Sequence, residues 1–157
     1  MASAKSRKAN DKRPLWTCPK CGHQFVTPNI WHSCSRYPLS YHFKGKDPIV
    51  RELFNQYLAL VESFGPTTVI PQKTRIAFQV RVRFAGAVTR KRWLDCALWL
   101  KRRVEHPLFY KIESLTPSDH VYRFRLTSVE ELRDKRLQAL LREAYEVGCQ
   151  KHLRERR

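Results

Sequence analysis

The stretch IAFQVRVRFAGAVTRKRWLDCALWL, from Ile76 to Leu100, decides the fold. It is rich in β-branched and aromatic residues, which fit a pleated and half-buried surface, so it reads as strands: Ile76 to Val80, Val82 to Thr89 and Trp93 to Leu100. Working outward, Val69 to Ile70 on one side, and Phe109 to Leu115 and His120 to Thr127 on the other, have the same character. Together these segments predict a mostly antiparallel sheet.

A helical pattern lies on each side of the strands. Asp47 is placed to cap a helix that has Pro48 at its first position, and Val50, Leu53, Phe54, Tyr57, Leu58, Val61 and Phe64 follow at helical spacing until Gly65-Pro66. After the strands, Ser128 and Glu131 form a capping box, and Val129, Leu132, Leu137, Leu140, Leu141, Ala144 and Tyr145 carry an apolar face as far as Gly148. The order helix, strands, helix predicts an α+β domain over 47–150. Ahead of it, residues 14–46 hold a cysteine cluster, and residues 1–13 and 151–157 read as basic tails, the first disordered.

The chain has 157 residues with 42% hydrophobic content, enough for one core and a small appendage. Its formal net charge of +17 points to a polyanionic partner, with nucleic acid ahead of an anionic membrane surface. No apolar run reaches the length of a membrane span, and MASAKSRKANDKR at residues 1–13 lacks the apolar stretch of a secretory signal. The expected location is the cytoplasm. Three of the five cysteines fall within 17 positions beside histidines, the pattern of metal ligands in a reducing compartment.

The cluster reads WTCPKCGHQFVTPNIWHSC. Cys18 and Cys21 stand in a C-x-x-C turn, which aims two thiolates at one tetrahedral ion while Gly22 relieves the backbone. Cys34 and His32 complete the four donors, and soft or borderline ligands in that number select Zn2+. His23 and His42 are alternative fourth ligands. Four protein donors leave no place for a reactive water, so the expected site is structural, and metal binding supplies the folding free energy of a segment with few apolar residues, about 10 kcal/mol or more.

Cys18, Cys21, Gly22, His32 and Cys34, with FKGK at 43–46, GP at 65–66, KTRIAFQ at 73–79, RFAGAV at 83–88 and EAYEVG at 143–148, give the chain a resemblance to the bacterial domain-of-unknown-function family 5655, in its zinc-bearing members. The resemblance implies the same fold and favours His32 as the fourth ligand. It implies no reaction; related core domains at the ends of restriction-like proteins tilt the expectation toward nucleic acid.

From Lys73 to Arg103 there are ten basic residues, Arg75 among them, and one acid, Asp95. Alternation along Gln79 to Phe84 predicts Gln79, Arg81 and Arg83 on one face with Val80, Val82 and Phe84 on the other; Arg123 and Arg125 likewise oppose Tyr122, Phe124 and Leu126. If these strands are neighbours, their guanidinium groups form a phosphate-binding face, widened at the strand ends by Arg90-Lys91-Arg92 and Lys101-Arg102-Arg103. Trp31, Tyr37, Tyr41 and Trp93 are candidates for stacking on unpaired bases.

Catalytic signals are weak. Asp95, Glu113 and Asp119 lack a magnesium-recruiting spacing, His120 and Tyr122 are isolated candidates for acid–base work, and Cys96 and Cys149 read as packing residues. The expected function is a zinc-containing nucleic-acid-binding module. The alternatives are a protein-interaction or regulatory domain for an acidic partner, and a nucleic-acid-processing enzyme with an unrecognised site.

Overall fold

The computed structural model describes residues 14–151, so the calls on residues 1–13 and 152–157 lie outside the described residues. The fold is α+β, as the sequence predicts. Strands β1 (Trp16–Thr17) and β2 (Gln24–Phe25) form a small hairpin. A 3₁₀ turn at Leu39–Phe43 leads into α1 (Pro48–Glu62), and then come β3 (Thr68–Pro71), β4 (Ile76–Gln79), β5 (Arg83–Thr89), β6 (Leu94–Leu100), β7 (Phe109–Thr116), β8 (Asp119–Leu126) and α2 (Lys135–Gly148). The last six strands make one antiparallel sheet in the order β3-β4-β5-β6-β8-β7.

Helix α1 starts where the sequence places it: Asp47 Oδ1 accepts from the Ile49 amide at 3.0 Å, satisfying one of the orphan donors of the first turn. Val50, Leu53, Phe54, Tyr57 and Val61 are its buried stripe. Leu137, Leu140, Leu141, Ala144 and Tyr145 are that of α2. Both helices pack on the same face of the sheet, against Ile76, Phe78, Leu98, Tyr122, Phe124 and Leu126, so that among the described residues no helix covers the opposite face. β8 alternates as predicted, with Tyr122, Phe124 and Leu126 fully buried and Arg123 and Arg125 on the other side.

Two expectations are corrected. The capping box of Ser128 and Glu131 is present, but it opens a 3₁₀ turn at Val129–Arg133; α2 begins afterwards, on a second cap in which Asp134 Oδ1 accepts from the Leu137 amide at 2.9 Å. The chain also does not run straight from Gln79 to Phe84. Residues 80–82 turn, and the amides of Arg81 and Val82 donate to the Gly148 carbonyl at 2.9 and 3.1 Å. Those donors have no strand partner at the turn, and the end of α2 supplies an acceptor. Arg81 therefore leaves the face it was predicted to share with Arg83, and its Nε donates to Gln150 Oε1 at 3.0 Å.

The same contact fixes Gly148. A Cβ placed there would lie 2.7 Å from Phe84 Cδ1 and 3.0 Å from Phe84 Cβ, and Phe84 is fully buried with no room to retreat. Gly148→Ala is expected to cost about 1–3 kcal/mol through overpacking, read as a lower urea midpoint with an unchanged slope.

Candidate metal centre and cationic sheet face

The hairpin β1–β2 builds the knuckle. The Cys18 amide donates to the His23 carbonyl at 2.9 Å and the Gly22 amide to the Cys18 carbonyl at 2.8 Å, closing a tight turn. Gly22 takes φ of +76°, which glycine reaches without steric cost. Cys18 and Cys21 then face His32 and Cys34 from the following loop, and the four donor atoms all lie within 4.8 Å of one another, an arrangement that could hold a metal ion. Cys18 Sγ is 3.8 Å from Cys34 Sγ, and His32 Nε2 is 3.4 Å from Cys21 Sγ and 3.5 Å from Cys34 Sγ. His32 Nδ1 lies 2.9 Å from the Ile30 carbonyl, the outer partner that orients a ligating imidazole.

Backbone amides favour the thiolate here. The Cys21 amide, with that of Lys20, outweighs desolvation at Cys18 and lowers its pKa to about 6. Cys34 is raised, by burial first and then by the neighbouring sulfurs. A cation among the sulfurs would relieve that repulsion.

Neither alternative ligand joins the four-donor cluster. His23 Nε2 is 3.0 Å from Gln79 Oε1, and Gln79 Nε2 donates to the Gln24 carbonyl at 2.8 Å, so this pair staples the hairpin to the end of β4. His42 is buried away from the cluster, with its carbonyl accepting from Thr89 Oγ1 at 2.6 Å. Trp31 projects from the ligand loop with 90% of its surface exposed.

The uncovered sheet face gathers only part of the predicted cationic set. Arg75, Arg83 and Arg123 line one concavity of about 240 Å³ with Asp95, Glu113, Trp99 and Val121. Arg125 and Arg90 border it by sharing Asp95, at 3.4 and 2.8 Å, and Trp93 Nε1 donates to the same carboxylate at 3.2 Å. The guanidinium of Arg125 lies 4.7 Å from the Trp93 ring centroid and 5.5 Å from that of Tyr110, a stack of cation between aromatics. Arg123 pairs with Glu113 at 3.1 Å, and Lys111 reaches the other oxygen at 3.3 Å.

Arg75 and Arg83 differ from these. Among the described residues neither has a carboxylate within ion-pair distance; Arg75 Nε donates to the neutral Gln72 at 3.1 Å. Burial, and then the charge of Arg75, pull the pKa of Arg83 below its ordinary value.

The remaining predicted cations stand apart from this face. Lys91 Nζ donates to the Gly45 carbonyl at 2.9 Å, and the Lys91 carbonyl accepts from the Asp47 amide at 2.8 Å, so Lys91 pins the chain ahead of α1 to the β5–β6 turn that also carries Arg92. Lys101, Arg102 and Arg103 follow β6 at the opposite end. Lys101 pairs with Asp119, Arg102 makes a two-pronged ion pair with Glu143 of α2 at 2.9 Å for each bond, and Arg103 donates to Ser114 at 3.4 Å. Of the cations expected to widen the face at the strand ends, Arg90 borders it through Asp95, Lys91 is drawn to the Gly45 carbonyl, and Arg102 is drawn to Glu143 of α2.

The isolated acid–base candidates have structural partners. His120 is buried with Nδ1 2.8 Å from Ser114 Oγ. Tyr122 Oη donates to the Arg102 carbonyl at 3.0 Å and accepts from the Val104 amide at 2.8 Å, bracing the loop after β6. Cys96 is buried, and burial pushes its thiol well above the ordinary range. Trp99 and the small residues Ala77, Gly86 and Ala97 escaped attention in the sequence, although Gly86 and Ala97 fall at outward strand positions, where small side chains signal an open floor.

A family model described as Domain of unknown function (DUF5655) matches residues 40–148. No curated protein and no solved structure matches the chain. Among the described residues no helix is long and apolar enough to cross a membrane.

Proposed function

The chain belongs to the DUF5655 family, whose description names no activity, and from that premise we propose that it is a zinc-stabilised nucleic-acid-binding protein of the cytoplasm. The observation that carries the reading is the uncovered sheet face, where Arg75, Arg83, Arg90, Lys111, Arg123 and Arg125 meet two carboxylates, Asp95 and Glu113. Phosphate oxygens suit guanidinium forks, and the partly exposed ion pairs on this face are weak enough to exchange for them. The overall charge of +17 adds long-range attraction.

Zinc is the metal we assign to the cluster. Zinc with thiolate near 2.3 Å and imidazole near 2.0–2.1 Å makes a tetrahedron with edges of about 3.8 Å between sulfurs and about 3.6 Å from sulfur to nitrogen. The 3.8, 3.4 and 3.5 Å separations among these donors fit such edges. Cys18, Cys21, His32 and Cys34 would hold the ion in a closed set that crosslinks the hairpin and the loop. Reduced thiols in this role suit a cytoplasmic setting.

Binding of labelled single strands and duplexes, measured by anisotropy at graded salt, tests the reading. With Arg75, Arg83, Arg123 and Arg125 each on a phosphate, the logarithm of affinity is expected to fall with the logarithm of salt at a slope of about −3 to −4. Replacing Arg75 and Arg83 together by Gln is expected to flatten that slope by about 1.4 to 1.8. Absence of binding to either form at low salt would overturn it.

A further inference from the structure

The concavity on the open sheet face has a floor of small residues, buried at the base of the recess between the larger side chains that line it. Ala77, Gly86 and Ala97 are register partners across β4, β5 and β6, and Arg123 is next in the same row. At about 4.8 Å per strand, the floor from Ala77 to Ala97 is roughly 10 Å wide. Along β6 it is bounded by Asp95 on one side and Trp99 on the other, four residues and roughly 13 Å apart. These are the dimensions of a planar ring system lying flat.

Charge is placed at the ends of this trough. Arg75 precedes β4 and Arg83 opens β5, so they enter from opposite ends of one hairpin, into the same concavity, each without a carboxylate partner among the described residues. Two such cations over an apolar floor are complementary to an anionic group joined to a flat ring. In a duplex the bases stay paired and stacked inside the backbone, so only an unpaired base could reach a recessed floor.

We propose that the trough over Ala77, Gly86 and Ala97 seats one unpaired nucleotide of a single strand, its base flat on the floor against Trp99 and its flanking phosphates on Arg75 and Arg83. This rests on the nucleic-acid reading and sharpens it. The occupant is a nucleotide within a strand; a free nucleotide shares the chemistry but lacks the second phosphate that the two separated arginines call for.

The test is Ala97→Leu, which fills the floor and leaves every charge in place. Binding of wild type and variant is compared at one salt concentration on a single-stranded oligonucleotide, the same strand with abasic sites throughout, a blunt duplex and a free nucleoside monophosphate. A seated base is worth roughly five- to 150-fold in affinity. The expected result is a loss in that range for the intact single strand, unchanged binding of the abasic strand and duplex, and weak binding of the monophosphate by wild type. Equal affinities of wild type and variant on the intact strand, with wild type binding well, would overturn the seat and leave the nucleic-acid reading standing. Equal losses on all three polymers would also overturn it. Monophosphate binding as tight as the strand would reassign the trough to free nucleotides and overturn the proposal in that form. Wild-type binding to none of the four removes both readings. If Ala97→Leu melts well below wild type, Trp99→Ala, which opens the wall without crowding the floor, is read by the same criteria.

Discussion

Cys18→Ser is expected to lower bound zinc from about one equivalent to below about 0.2 in protein never exposed to chelator. Cys18 is the most buried of the four donors, and its sulfur lies 3.8 Å from that of Cys34. A serine oxygen there remains protonated and cannot replace a thiolate. Zinc sites of this type contribute roughly 10–16 kcal/mol of apparent binding free energy, far more than the hairpin can recover from its own packing. Its strands pair over only Trp16–Thr17 and Gln24–Phe25. The hairpin is therefore expected to lose its ordered amide resonances, while residues of the main core keep theirs, because that core is built from Val50 to Tyr145 without the ligand loop. Metal analysis and amide spectra together check the result. Zinc near one equivalent in the variant, or a wild-type hairpin spectrum without metal, would sink the site.

The sequence was most legible where one physical rule acts locally. The two helices, the strands and the cysteine pair of the candidate metal cluster each follow from a short-range pattern: Asp47-Pro48 for the start of α1, the period of two in β8 and Cys18 and Cys21 around a tight turn. What escaped depended on contacts distant in the chain. The turn at residues 80–82 forms because Gly148, more than sixty residues later, offers its carbonyl, and the register shift beside Gln79 lets Phe84 and Ala85 both face the core. No alternation rule anticipates either. The same holds for the cations. Density along the chain marked Lys73 to Arg103 as one basic patch, but Glu143 on α2 holds Arg102 and the Gly45 carbonyl holds Lys91. Charge counts the candidates for a surface; tertiary partners decide which of them remain available.

Tyr57 joins the core to the open face, and Tyr57→Ala is expected to destabilise the protein by about 3–5 kcal/mol, as for other large buried aromatic truncations. Its ring is fully buried on α1, 5.2 Å from the Phe78 ring centroid and 6.0 Å from that of Phe124. Its hydroxyl points toward the Ala97 and Gly86 carbonyls at 3.2 and 3.4 Å, the same residues whose other side forms the trough floor. Tyr57→Phe keeps the ring and removes only that hydrogen bond, so its expected cost is smaller, about 1–2 kcal/mol. The two variants separate packing from polar support in urea unfolding. Equal losses in both would assign the whole effect to the hydroxyl; no loss in Tyr57→Phe would leave the carbonyls served by the sheet alone. In the expected intermediate case, packing of the ring against Phe78 and Phe124 carries most of the effect, and the hydroxyl adds a hydrogen bond to the back of β5 and β6.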